Sequence, residues 1–294
     1  MDEIRKVTVV GAGVMGSGIA QVLATNGYYV TLIDISDEFL RKGLENIKNG
    51  PFGLKRLVEK GKLTEDQVKE IMARITTTTD YQIGCSDADI VIEAVPEVLE
   101  LKHKVFKKLD ELCPERTILA SNTSSLMISE IASVVKKPER VIGMHWFNPA
   151  PIMKLIEVIK GAMTSNEVRD LIMEFSKKLG KVPIEVKDGP GFFVVRYLNV
   201  ILMEAIRLYE EGVAGIKEID EMCKLGLGWP MGPFELMDLI GLDVVYHIAE
   251  YNYHVLADPH VAPPVTLRKM FHAGYLGKKV GSKGGWYDYL GIQK

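Results

Sequence analysis

The sequence predicts an α/β domain built on a buried, mainly parallel sheet over residues 1–187, followed by an all-α domain over 188–294. Three observations carry that reading. Short β-branched runs alternate with stretches of helical period through the first part of the chain. A glycine-rich turn joins the first such run to the first helical stretch. After the cluster Lys187-Asp188-Gly189-Pro190-Gly191 the pattern is helical only.

The first strand is Ile4 to Val10, short and apolar enough to be buried on both faces. The turn Gly11-Ala12-Gly13-Val14-Met15-Gly16 follows, then a helix from Ser17 that stops at Gly27, then the strand Tyr29–Ile33 ending in Asp34. A G-x-G-x-x-G is weak evidence alone, but between a strand and a helix it marks a Rossmann-type dinucleotide site. Gly11 permits the tight turn, Gly13 lets backbone amides reach a pyrophosphate, and Gly16 lets helix and strand pack closely. The helix N-terminus, at Val14 and Met15, offers unpaired donors and partial positive charge to that pyrophosphate. Asp34 lies 18 residues past Gly16, where a carboxylate accepts the hydroxyls of an adenosine ribose and repels a 2′-phosphate. The cofactor expected is NAD.

Residues 37–73 are charged and helical in period, broken at Asn49-Gly50-Pro51. Lys55, Arg56, Lys60 and Lys62 gather there, either as a solvated face or as a basic patch for the phosphates of a long substrate. Ile75–Thr79 is β-prone, and Asp89–Val95 is a buried strand that delivers Glu97 toward the ligand crevice at the strand ends. A helix over 99–112 precedes the strand Thr117–Ala120, which delivers five small polar residues, Ser121-Asn122-Thr123-Ser124-Ser125. The strand Arg140–Met144 delivers His145-Trp146-Phe147-Asn148-Pro149, and a strand from Met153 to Ile159 bears Glu157. A helix near 166–179 and a strand near 182–186 close the domain. The helix expected over 192–211 is apolar on most sides and must be covered on several faces, by a second copy in a homodimer or, alternatively, within one compact two-domain monomer; the homodimer is expected.

Composition bounds the function. A chain of 294 residues, 47% hydrophobic, can bury a sizeable core, and a net charge of −3 gives no bias toward nucleic acid or a membrane surface. Cys85, Cys113 and Cys223 lack metal-site or disulfide spacing, so no metal is expected. The start Met1-Asp2-Glu3-Ile4 does not read as a secretory leader, and the longest apolar stretch, 192–206, is interrupted by Arg196, Asn199 and Glu204. A cytoplasmic protein is expected.

His145, Glu157 and Ser124 all arrive at strand ends beyond the cofactor strand. Histidine is the side chain whose ordinary charge change falls near neutral pH, so His145 suits a general base. Glu157 could hold its other ring nitrogen, and Ser124 could bind a reacting oxygen. Taken singly, each has a plain alternative: a histidine beside Trp146 and Phe147 packs in cores, and a strand glutamate is often an edge charge. Spacing does not establish that the three converge.

The glycine-rich turn, Ser121–Leu126, His145–Pro149, Asp188–Phe192, Pro230–Leu236 and Gly285-Trp286-Tyr287 together resemble the (S)-3-hydroxyacyl-CoA dehydrogenases, over essentially the whole chain. The length is similar to that of the small stand-alone members acting on 3-hydroxybutyryl-CoA. The resemblance implies a helical dimerisation domain after the Rossmann-type one, and NAD-linked interconversion of (S)-3-hydroxyacyl-CoA and 3-oxoacyl-CoA. It implies His145 as general base, Glu157 as its orienting partner, and Ser124 against substrate and nicotinamide ribose. Asp34, Glu97, Lys102, Asn148 and Lys279 match cofactor contacts, and Lys60 falls near a position that contacts the CoA phosphates. One position departs: the family's helix opens Gly-Phe-x-Val-Asn-Arg, whereas this chain reads Gly191-Phe192-Phe193-Val194-Val195-Arg196. Val195 replaces the active-site Asn and can neither donate nor accept a hydrogen bond. Losing such a contact costs roughly 2–4 kcal/mol of transition-state stabilisation. A second reading is therefore an NAD- and CoA-binding homologue with weakened or no catalysis, and a third takes a free 3-hydroxy acid as substrate. Asn199, one turn further on, is displaced by about 5 Å.

Overall fold

The computed structural model describes residues 4–292, so the reading of Met1-Asp2-Glu3 lies outside it. Contacts divide the chain between Gly189 and Pro190 into two compact units.

The first unit opens with β1 (Lys6–Val10), α1 (Val14–Thr25) and β2 (Tyr29–Ile33). The charged stretch forms α2 (Asp37–Asn49), α3 (Leu54–Glu59) and α4 (Glu65–Ala73). Ser36 caps α2 by accepting from the Phe39 amide, and Thr64 and Gln67 form a capping box at α4. Then come β3 (Ile75–Thr78), α5 (Tyr81–Cys85), β4 (Ile90–Glu93), α6 (Leu99–Leu112) and β5 (Ile118–Ser121). The unit closes with α7 (Ile128–Ala132), β6 (Val141–Trp146), β7 (Leu155–Lys160), α8 (Asn166–Lys178) and β8 (Val182–Lys187).

The strands form one eight-stranded sheet in the order β3-β2-β1-β4-β5-β6-β7-β8. Every neighbouring pair is parallel except β6 and β7. The direction of winding reverses between β1 and β4, which opens a crevice at the C-terminal strand ends there. On one face of the sheet Val9, Leu32, Ile92, Ala120 and Ile142 pack against Ile19, Leu23 and Phe175, and on the other Val10, Ile33, Val91 and Leu119 are buried as well. Burial on both faces is why these strands read as continuous apolar runs.

The second unit is helical: α9 (Val194–Glu210), α10 (Ile216–Leu227), α11 (Pro233–Ile240), α12 (Leu242–Leu256), α13 (Val265–Ala273) and α14 (Trp286–Leu290). Its core joins Leu202, Ile206, Phe234, Met237 and Trp286. The long helix starts two residues later than the apolar run suggests. Gly191 and Phe192 both hold positive φ, 71° and 49°, and left-handed residues cannot continue a right-handed helix. Among the described residues no helix is long and apolar enough to cross a membrane.

Candidate active site

The glycine-rich turn joins β1 to α1 as the motif requires. Gly11 holds φ 103°, and a Cβ there would come within 2.6 Å of the Ala94 carbonyl oxygen. A Cβ at Gly16 would collide with the Gly11 carbonyl, so strand and helix meet as closely as backbone allows. At Gly13 a Cβ would meet nothing within 4 Å. Gly13 is also the N-cap of α1, with no side-chain hydrogen bond onto the helix and no acidic residue in the first turn. Such an uncapped, open helix start suits an anion like a pyrophosphate. Asp34 closes β2 beside the turn, accepting from the Ala12 amide at 2.6 Å and the Ile35 amide at 2.6 Å. These features fit a dinucleotide.

The end of β4 carries a network that the sequence did not announce. Glu93 is wholly buried and accepts from the Val95 amide at 2.7 Å, the Ser121 hydroxyl at 2.6 Å and Lys102 Nζ at 2.7 Å. Lys102 is 1% exposed; its ammonium also reaches the Val95 carbonyl at 3.3 Å and Glu97 Oε2 at 3.2 Å. Three donors meet three acceptors, all within the protein. Burial lowers the lysine's pKa, but the Glu93 and Glu97 carboxylates beside it outweigh that and raise it. Glu97 in turn accepts from the Thr123 hydroxyl at 2.6 Å and the amides of Ser124 and Ser125, each at 2.9 Å. Burial would raise the Glu97 carboxyl; Lys102 and these donors reverse the effect and hold it down at about 2. Thr123, Ser124 and Ser125, just past β5, thus wrap the Glu97 carboxylate, with Ser124 half-buried at its edge.

His145 and Glu157 meet through the one antiparallel pairing. They stand opposite each other in the β6–β7 register, and Nδ1 of His145 lies 2.7 Å from Glu157 Oε2. Both are buried, 5% and 1% exposed. Phe147 packs a tilted ring against the imidazole at 4.3 Å between centroids. The missed partner is Asn122, whose Oδ1 accepts from the Trp146 amide at 2.9 Å and so ties the β5 loop to the strand holding His145. A polar residue ending a buried strand is a usable signal for it, but the sequence offers five in a row. Ser124 therefore lies just past the end of β5 and His145 near the C-terminal end of the adjacent β6, at the same edge of the sheet.

Other sequence candidates sit as follows. Asn148 is exposed in the loop after β6. Lys60 caps the end of α3 and is exposed, with Lys55 and Lys62; Arg56 pairs with Glu59 at 2.8 Å. In the helical unit, Lys279 contacts Asp243 at 2.6 Å, and Val195 is half-buried in the first turn of α9. Asn199 is 2% exposed and donates to the Val261 carbonyl at 3.1 Å, so its amide is engaged inside its own unit.

Comparison with known proteins agrees with this arrangement. Residues 6–189 match the sequence model for the 3-hydroxyacyl-CoA dehydrogenase NAD-binding domain, and residues 191–289 match that for the C-terminal domain. The chain is 46% identical over 284 residues to a 3-hydroxybutyryl-CoA dehydrogenase of Clostridioides difficile, covering 97% of this chain and 99% of that one. It is 43% identical over 289 residues to the human mitochondrial hydroxyacyl-coenzyme A dehydrogenase, covering 97% and 91%. The crystal structure of an (S)-3-hydroxybutyryl-CoA dehydrogenase from Ralstonia eutropha superimposes with a TM-score of 0.91 at 45% identity, covering 95% and 98%.

Proposed function

Because this chain belongs to the 3-hydroxyacyl-CoA dehydrogenase family, an NAD-dependent enzyme family, we propose that it interconverts (S)-3-hydroxyacyl-CoA and 3-oxoacyl-CoA of short chain, 3-hydroxybutyryl-CoA and acetoacetyl-CoA first. The observation that supports this most is the buried His145–Glu157 pair at 2.7 Å. NAD, when bound, supplies the acceptor or donor of the hydride. His145 takes the hydroxyl proton in oxidation and returns it in reduction. With Nδ1 directed at Glu157, proton exchange falls to Nε2. Glu157 fixes that tautomer and balances the imidazolium charge, which burial would otherwise make costly. Ser124 holds the reacting oxygen, and Lys60 meets the phosphates of CoA.

The turn from Gly11 to Gly16, Asp34, Glu97, Asn148 and Lys279 contact the dinucleotide. Lys102 belongs with them, acting through the Glu97 carboxylate it holds. Residues 1–187 serve as the cofactor domain and 188–294 as the substrate and dimerisation domain. A homodimer forms through the helical part, where Phe193 just before α9, Tyr197 of α9, and Leu225 and Leu227 of α10 are exposed. Sedimentation at several concentrations tests it; a monomer throughout would end that assignment. The three free thiols suit a reducing cytoplasm.

The experiment is oxidation of NADH by acetoacetyl-CoA, for this chain and for Val195→Asn. Turnover by the parent, raised about 10²-fold by Val195→Asn, is expected from the hydrogen bond regained. If neither protein turns over and NADH does not bind, the proposal is wrong. Val195 also favours a second reading: binding of NADH and CoA without turnover, unrelieved by Val195→Asn, would make the protein a binder.

A further inference from the structure

We propose that Lys181 is a positioning residue that clamps the loop 147–154 and thereby sets the dinucleotide contact offered by Asn148. Lys181 lies between α8 and β8 and is 9% exposed. Its ammonium donates to the Ala150 carbonyl at 2.6 Å and the Met153 carbonyl at 2.7 Å. The same nitrogen stands 5.4 Å from the centre of the Trp146 ring, on the residue next to His145. Both hydrogen-bond partners are carbonyls, and burial pushes the amine's pKa down. A buried lysine is costly unless its donors are used, and an apolar chain of equal length would fill the space without that cost. What the amine supplies is two directional bonds to a segment with little backbone pairing of its own.

The opposite side of that segment rests on α1. A Cβ added to Gly18 would lie 3.2 Å from Ala150 Cβ and 3.3 Å from Pro151 Cδ. The loop is thus held between the helix that starts at the glycine-rich turn and a single ammonium. Between them the Ile152 and Met153 amides donate to the Pro149 carbonyl at 2.9 and 3.0 Å, beside Asn148. The Val182 amide ties the far end of the loop at the Lys154 carbonyl, 2.8 Å away, and the ladder of β6 and β7 ends at Trp146 and Ile156, so between those points the spacing from dinucleotide turn to Asn148 rests on Lys181.

This inference rests on the proposed contact of Asn148 with the dinucleotide, and the experiment separates the two. NADH affinity of the whole enzyme is measured for Lys181→Met, Lys181→Arg, Asn148→Ala and the Lys181→Met/Asn148→Ala double variant. Lys181→Met is expected to weaken NADH about tenfold. KM for acetoacetyl-CoA should stay within about twofold and Lys181→Arg should recover most of the affinity, because only cofactor placement is disturbed. The double variant should be no weaker than the weaker single, since both act through one contact. Amide exchange at Ile152 and Met153 should quicken in Lys181→Met. Parental NADH affinity in Lys181→Met alongside loss in Asn148→Ala overturns the role of Lys181, as does a purely additive double variant or a fall in melting temperature with affinity intact. Parental affinity in Asn148→Ala overturns the cofactor contact instead; unchanged exchange at Ile152 and Met153 would then show that Lys181 does not hold the loop. Should Lys181→Met not fold, Lys181→Gln takes its place with the same readouts.

Discussion

In the sheet unit the buried carboxylates stand at the C-terminal edge of the sheet: Glu93 ends β4, and Glu157 faces His145 across β6 and β7. In the helical unit Asp220 and Asp238 are equally buried, at 0% and 2% exposure, and answer only to the fold. Asp220 accepts from the Phe234 amide at 2.8 Å, the Glu235 amide at 3.1 Å and the Tyr287 hydroxyl at 2.6 Å. Asp238 accepts from the Trp286 amide at 2.7 Å, and the Trp286 ring packs edge-on against Phe234 with centroids 5.0 Å apart. The two strings Pro230–Leu236 and Gly285-Trp286-Tyr287 therefore find each other through these acids. A recognisable string carries the proposed chemistry in one unit and holds the fold in the other.

That contrast can be broken most sharply at His145. His145→Gln is expected to lower kcat about 10²- to 10⁴-fold, with NADH affinity kept, because the proton acceptor is lost. A kcat within threefold of the parent, checked by steady-state kinetics, would remove His145 from the chemistry. Asp220→Asn should do the reverse. It removes acceptor capacity from buried donors and costs about 1–3 kcal/mol, read as a lower melting temperature with kcat per folded molecule preserved. If instead kcat collapses in fully folded protein, the architectural reading of that acid is mistaken.

The smallest effect concerns Glu97, held by Lys102, Thr123 and the amides of Ser124 and Ser125. Its folded pKa of about 2 lies below its ordinary 4.5, so its contribution to stability is complete above 4.5 and lost as pH falls toward 2. Glu97→Gln should make the fall of melting temperature over that window shallower. An unchanged slope between the two proteins would show that the carboxylate's neighbours do not hold it as described.

Much of the first unit was legible. The turn at Gly11–Gly16, the strand closed by Asp34 and the buried runs at 90–93 and 118–121 follow from local pattern, because parallel strands buried on both faces leave little ambiguity. The meeting of His145 with Glu157 was not, since residues 153–159 read as a strand without a direction. Only the antiparallel choice sets 145 opposite 157, and the Pro149-Ala150-Pro151 turn midway was the available hint. The strand itself begins later, at Leu155, because the preceding residues turn back on the Pro149 carbonyl. Lys102 entered only through the family resemblance, as a cofactor contact, and nothing local says that Glu93 and Glu97 draw it inward. Asn199 was equally mute: helical spacing gives its face, while the Val261 carbonyl that engages it is 62 residues away.

The His145–Glu157 pairing also limits which insertions and deletions this chain can tolerate. Side chains alternate along a strand, so gaining or losing one residue within 141–146 or 155–160 would send one member of the pair to the far face of the sheet. Residues 147–154 lie beyond the last rung, so their number can change while the pair stays opposed. A change of length there would spare the His145–Glu157 pair and instead shift Asn148 and the two carbonyls that Lys181 holds.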